Sequence, residues 1–62
     1  MHFEIYRQGR ADLWEWCWRL RTADERIVAF GEGYESRSDC LHAVDIVRGT
    51  DSFTPIVDQL ET

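Results

Sequence analysis

The sequence predicts one small α+β domain in which a three-stranded antiparallel meander is followed by one helix packed on the sheet and a short C-terminal edge strand, in the order βββαβ. Three observations predict this class. Two segments alternate apolar and polar residues with the period of a strand, a third is a short apolar run, and a fourth repeats apolar residues at helical spacing. The 62 residues predict a single domain over residues 1–62.

Strict alternation predicts the first two strands. Strand one covers His2 to Arg7, and the polar stretch Gln8 to Asp12 predicts a hairpin loop longer than two residues. Strand two covers Leu13 to Arg21. Its apolar face consists of Trp14, Trp16, Trp18 and Leu20. Opposite an apolar helix such a face predicts core, with Trp14 the most exposed; the alternative is a platform for stacking bases or sugars.

The third strand and the helix follow a polar turn at Thr22 to Glu25. Arg26 to Glu32 is apolar on both faces, which predicts a strand covered on both sides. Ser36 is a favourable N-cap, and Asp39 places a carboxylate in the first helical turn. The predicted buried stripe of the helix is Cys40, Ala43, Val44 and Val47.

The helix is predicted to close at Arg48 and Gly49. Thr54 to Leu60 then predicts a short fourth strand, and Pro55 confines it to an edge because proline has no N–H to donate.

Composition excludes several classes of partner. Seven arginines and no lysine against twelve acidic residues give a net charge of −5, which disfavours nucleic acid and anionic membranes. No signal peptide or apolar span of membrane length is found, so a cytoplasmic protein with reduced thiols is expected. A chain this short buries a thin core, and self-association is the expected remedy.

The order and spacing of several short pieces resemble the YegP-like family of small uncharacterised proteins. These pieces are Phe3-Glu4-Ile5-Tyr6, Trp18-Arg19-Leu20-Arg21, Ile27-Val28-Ala29, Gly33-Tyr34 with Ser36 and Cys40, and Val44 and Val47. The resemblance implies no established activity, and it implies a homodimer for a chain with one repeat. The sequence departs from the family in lacking glycine in the Thr22 to Glu25 turn and in having Ala43 where glycine is expected.

The candidate binding residues lie around the predicted helix N-terminus, where free N–H groups attract anions. The set is Tyr34, Ser36, Arg37, Arg19 and Arg21. The alternative is a purely structural role for these residues. Ser36 and Asp39 then use these N–H groups as caps, and Arg19 and Arg21 pair with glutamates across the sheet.

Enzymatic and metal chemistry find little support. Cys40 in the first helical turn is a candidate nucleophile, but it lies on the buried stripe without a nearby base. Cys17, Cys40, His2 and His42 are residue types that bind zinc. They lack the close spacing in sequence that fixes a tetrahedral site. No enzyme, metal or cofactor is therefore expected.

The leading hypothesis is a non-enzymatic homodimer or assembly module. The candidate interface residues are Trp14, Leu41, Ile46 and Ile56. The second hypothesis is a small-ligand or anion binder at Gly33 to Asp39, and the third is thiol chemistry at Cys40.

Overall fold

The computed structural model describes residues 1–59 of the chain. Three antiparallel strands form an open sheet in the order β1-β2-β3, and one helix follows. The elements are β1 (His2–Arg10), β2 (Leu13–Arg21), β3 (Ile27–Tyr34) and α1 (Arg37–Arg48). The predicted α+β class, meander and helix are confirmed.

The β1–β2 hairpin is tighter than the sequence predicts. Pairing runs without a break along both strands, so the turn consists of Ala11 and Asp12 alone. Ala11 supplies the positive φ, 56°, that two-residue hairpin turns usually obtain from glycine. The prediction of a longer loop was wrong because Gly9, which suggested it, lies inside β1.

A bulge interrupts the pairing of β2 with β3. It lies between the pairs Trp16–Tyr34 and Trp18–Gly31, so that two β3 residues stand opposite one β2 residue. Gly33 supplies the left-handed backbone at this bulge with a φ of 85°. Because β3 ends opposite Trp16, the first three residues of β2 extend past it.

Strand β3 is more exposed than predicted. Its apolar residues Ile27, Val28 and Phe30 are all exposed, whereas Ala29 packs against the core. β3 forms one edge of the sheet, and α1 packs over only part of the sheet. The expectation of a strand covered on both sides was therefore wrong for the single chain.

Helix α1 has the predicted boundaries. Ser36 Oγ accepts a hydrogen bond of 3.1 Å from the Asp39 N–H, which satisfies one of the free donors at the helix start. At the other end the Gly49 N–H reaches back to the Asp45 and Ile46 carbonyls. The caps therefore fix both ends of the helix locally.

The core is a small cluster between α1 and β2. Trp18, 6% exposed, packs with Cys40 and Val44, so the predicted helix stripe and tryptophan face meet as expected. Residues packed around this cluster are Phe3, Ile5, Trp16, Leu20, Ala29, Tyr34, Ala43 and Val47.

The predicted fourth strand does not form in the described part of the chain. Residues 50–59 contain no strand, and Leu60, the last residue of that prediction, lies outside the described residues. Ile56 is 97% exposed, and Phe53 and Val57 are exposed beside it. The segment that follows α1, residues 50–59, thus carries apolar side chains that do not pack on the domain.

Candidate functional site

A groove of about 390 Å³ opens where β3 leaves the side of β2. Its volume falls within the range of about 300–1,000 Å³ typical of ligand sites. We call it the hairpin groove and define it by its lining residues Leu13, Trp14, Glu15, Gly33, Tyr34 and Glu35. Its walls are therefore partly apolar and partly acidic.

Glu15 presents one free carboxylate oxygen to the hairpin groove. Its Oε1 accepts a hydrogen bond of 2.8 Å from Gln8 Nε2, which also donates to Glu32 at 3.4 Å. The second carboxylate oxygen of Glu15, Oε2, lies 3.6 Å from the position that a Cβ atom on Gly33 would occupy. Among the residues that the structure describes, no donor bonds this oxygen, so it is available to a cation.

Trp14 forms the aromatic wall of the hairpin groove. It is 66% exposed, which confirms that it is the most exposed of the three tryptophans. The Arg7 Cζ atom lies 5.3 Å from the ring centroid of Trp14 and 5.6 Å from that of Trp16. The tryptophan face is thus divided between core at Trp18 and an exposed stack with Arg7.

Three of the predicted ligand residues lie at or beside the hairpin groove. Tyr34 lines it, and its hydroxyl accepts a hydrogen bond of 3.2 Å from Trp18 Nε1. Ser36 is engaged as the N-cap, and Arg37 is exposed at the first residue of α1. Two carboxylates make the groove itself unfavourable for an anion, so the anion hypothesis rests on the helix end alone and stays a prediction.

The other two predicted ligand residues lie apart from the hairpin groove. Arg19 Nε and Arg21 Nε both donate to Glu4 Oε1, at 2.5 Å and 2.7 Å. The Arg19 guanidinium also stacks over Tyr6, with Cζ 4.6 Å from the ring centroid. These contacts match the alternative stated above, in which both arginines pair with glutamates across the sheet. The five predicted ligand residues therefore do not form one site.

Glu4 is held ionised by this cluster. Hydrogen bonds from Arg19, His2 and Arg21 lower the pKa of Glu4 from 4.5 to about 2. Because the folded-state pKa is the lower one, the ion cluster adds stability above pH 4.5. This contribution is lost as the pH falls toward about 2.

The variant Glu4→Gln is expected to flatten the acid limb of the stability curve. Wild-type stability should fall between pH 4.5 and about 2 more steeply than that of the variant, because glutamine has no proton to bind there. Urea unfolding at a series of pH values measures this difference. Parallel acid limbs in the two proteins would contradict the assignment.

Both cysteines are inaccessible in the single chain. Cys17 and Cys40 are free thiols with 0% exposure. Burial raises the pKa of each thiol, and the nearby Glu15 charge raises that of Cys17 further. Raised thiol pKa values oppose the thiolate that nucleophilic chemistry needs.

Residues 1–59 contain neither a metal-ligand group nor a membrane-spanning helix. Within that range, no three histidine, cysteine or acidic side chains lie close enough together to hold a metal ion. The helix in that range falls short of the length and apolarity needed to cross a bilayer.

The predicted interface residues are available for contact to different degrees. Trp14, Ile46 and Ile56 are exposed, and Leu41 is half-buried. Their role in a dimer stays a prediction.

Sequence reasoning missed Leu13 and Glu15 as groove residues, whereas Glu35 lies within the predicted ligand segment Gly33 to Asp39. The hairpin groove exists because β3 bulges at Gly33 and ends early, and the local residue pattern carries no signal for that event.

Comparison with known proteins places the chain in a family. The model of a domain of unknown function, DUF1508, matches residues 15–58. The chain belongs to this family. The chain is also similar to the UPF0339 protein NMB1088 of Neisseria meningitidis serogroup B and to the UPF0339 protein NMA1193/NMA1859 of Neisseria meningitidis serogroup A. Each is 45% identical over 56 residues, covering 90% of this chain and 95% of the relative.

A UPF0339 protein of Treponema denticola is 35% identical over 46 residues, which is 74% of each chain. These matches confirm the resemblance to the YegP-like family. The DUF1508 family has no established biochemical function.

Proposed function

We propose that this DUF1508 chain is a non-enzymatic self-association module that works as a homodimer. The main support is its accessible surface of 5406 Å². A compact monomer of 7.3 kDa exposes about 4,200 Å², so the chain exposes about 1,200 Å² more than its size requires. The exposed segment 50–59 contributes to this excess, and a standard interface, which removes about 800 Å² from each partner, would be large enough to cover most of it.

The shape of the chain supports the same proposal. Its radius of gyration is 14.0 Å, whereas a compact domain of this length has about 10.5 Å. In the described residues four hydrophobic side chains are buried and ten large ones are exposed. Burying part of this apolar surface in a partner would supply the free energy that the thin core lacks.

The proposed interface includes Trp14 at the hairpin tip, Leu41 and Ile46 on α1, and Ile56 in the C-terminal segment. Their side chains are exposed or half-buried and are not part of the core cluster around Trp18. The family resemblance, which implies homodimers for chains with one repeat, supports a dimer, and the choice of residues rests on their exposure.

The variant Ile46→Ser is expected to raise the dimer dissociation constant at least about tenfold, because each copy loses an apolar contact. Arg48→Ser is the matched control, since Arg48 lies on the same helix and its side chain, like Ile46, is 62% exposed. Sedimentation equilibrium measures both constants. Equal constants for Ile46→Ser and wild type would remove Ile46 from the interface.

The non-enzymatic part of the proposal predicts inert thiols. Cys17 and Cys40 should resist a thiol-modifying reagent in the native protein and react in denaturant, because both side chains are buried. Absorbance of the released chromophore follows the reaction. Rapid native modification of Cys40 would favour the thiol-enzyme alternative. The proposal also keeps the cytoplasmic location expected from the sequence, where such thiols stay reduced.

A further inference from the structure

Helix α1 begins with a charge of the unfavourable sign. Arg37 is its first residue, where the positive end of the helix dipole disfavours a cation. The Arg37 side chain is exposed, and no carboxylate lies within 4.0 Å of it among residues 1–59. The five other arginine side chains that the structure describes each have an ion pair or an aromatic ring as partner. Among the described residues, Arg37 therefore has no ion-pair partner to offset this local cost.

The hairpin groove has carboxylates that lack a cation partner among the described residues. Glu15 and Glu35 both line it, and neither forms an ion pair with the residues that the structure describes. Trp14, whose ring already stacks with the Arg7 guanidinium, adds an exposed apolar wall. A guanidinium group on an apolar stem fits this combination of an apolar wall and two carboxylate groups.

Glu35 and Arg37 are separated by only Ser36, so the acceptor and the donor lie beside each other on the surface. A two-fold axis close to this point would bring the arginine of each copy to the groove of the other. Contacts across a two-fold axis are reciprocal, so the contact between Arg37 of one copy and the groove of the other would occur twice in the dimer.

We propose that Arg37 of each copy enters the hairpin groove of the second copy, where it pairs with Glu35 and Glu15 Oε2 and packs on Trp14. This contact rests on the homodimer proposed above and gives it an orientation, with the N-termini of the two α1 helices near the axis. It also places Trp14, already a candidate interface residue, in the wall that the incoming side chain meets.

Charge reversal tests the contact. Arg37→Glu and Glu35→Arg are each expected to raise the dimer dissociation constant roughly tenfold or more at low salt, because attraction becomes repulsion at two symmetric sites. The double variant Arg37→Glu/Glu35→Arg is expected to recover part of the affinity, because the pair at positions 35 and 37 is restored while Glu15 and Trp14 still disfavour a carboxylate. An equimolar mixture of the two single variants should form heterodimers, since both of its contacts join opposite charges.

Sedimentation velocity at low and high salt measures these affinities, and far-ultraviolet circular dichroism checks that each variant keeps its helix. A glutamate at the first helical position favours α1, so Arg37→Glu is expected to fold. If each single variant has the dissociation constant of the wild-type dimer, or if the double variant dimerises as weakly as either single variant, this contact is wrong. The homodimer proposal would not be affected by that result. A monomeric wild type would instead overturn the homodimer itself.

Discussion

Replacing Gly31 with alanine is expected to destabilise the fold by about 3 kcal/mol. A Cβ atom at this position would lie 2.7 Å from Trp18 Cε2 and 3.0 Å from Cδ1, with Nε1 closer still. The indole cannot move aside freely, because it packs on Cys40 and Val44 and donates a hydrogen bond to Tyr34. The added methyl group must displace either the core or β3.

Gly9→Ala is the matched control for this substitution. Gly9 is also a strand glycine beneath a tryptophan, but a Cβ there would lie 3.5 Å from the Trp14 ring, an ordinary contact distance. Its stability is expected to stay within about 0.5 kcal/mol of wild type. Urea unfolding at one protein concentration compares the variants, and equal midpoints for both would show that the indole does not rest on Gly31.

Trp18→Ala is expected to cost about 4 kcal/mol, because it removes the largest side chain of the core and leaves a cavity. A 62-residue chain has a total stability of roughly 3–9 kcal/mol, so this variant should lose between about half and all of its stability. The milder Trp18→Phe keeps an aromatic ring but loses the bond to the Tyr34 hydroxyl. It should stay folded with a lower melting temperature.

Phe30→Ala is the control for the truncation of Trp18. Phe30 lies on edge strand β3 and is exposed, so its loss should change stability by less than about 1 kcal/mol. Circular dichroism melting curves at one concentration rank the three variants. A cooperative transition near the wild-type temperature for Trp18→Ala would contradict the assignment of Trp18 to the core.

Elements with strong local signals could be predicted from the sequence. The alternation over β2 and the Ser36 cap with the apolar stripe of α1 gave the correct strand, the correct helix and their contact through Trp18. Such elements succeed because their own residues determine both their conformation and the face that they bury.

Features that depend on long-range geometry could not be predicted. The hairpin turn uses Ala11 at positive φ rather than a glycine, and the groove arises from the bulge at Gly33. The fourth strand depends on a neighbour to pair with, which residues 50–59 do not find in the described single chain. Of the candidate ligand residues, Arg19 and Arg21 lie apart from the groove, and both donate to Glu4 on the neighbouring strand.

The mass of the wild-type protein in solution tests the central claim most directly. Sedimentation equilibrium over a dilution series is expected to give twice the 7.3 kDa chain mass at micromolar concentration. The melting temperature should fall on dilution, because dissociation is linked to unfolding. A mass of 7.3 kDa throughout, with a melting temperature independent of concentration, would contradict the homodimer.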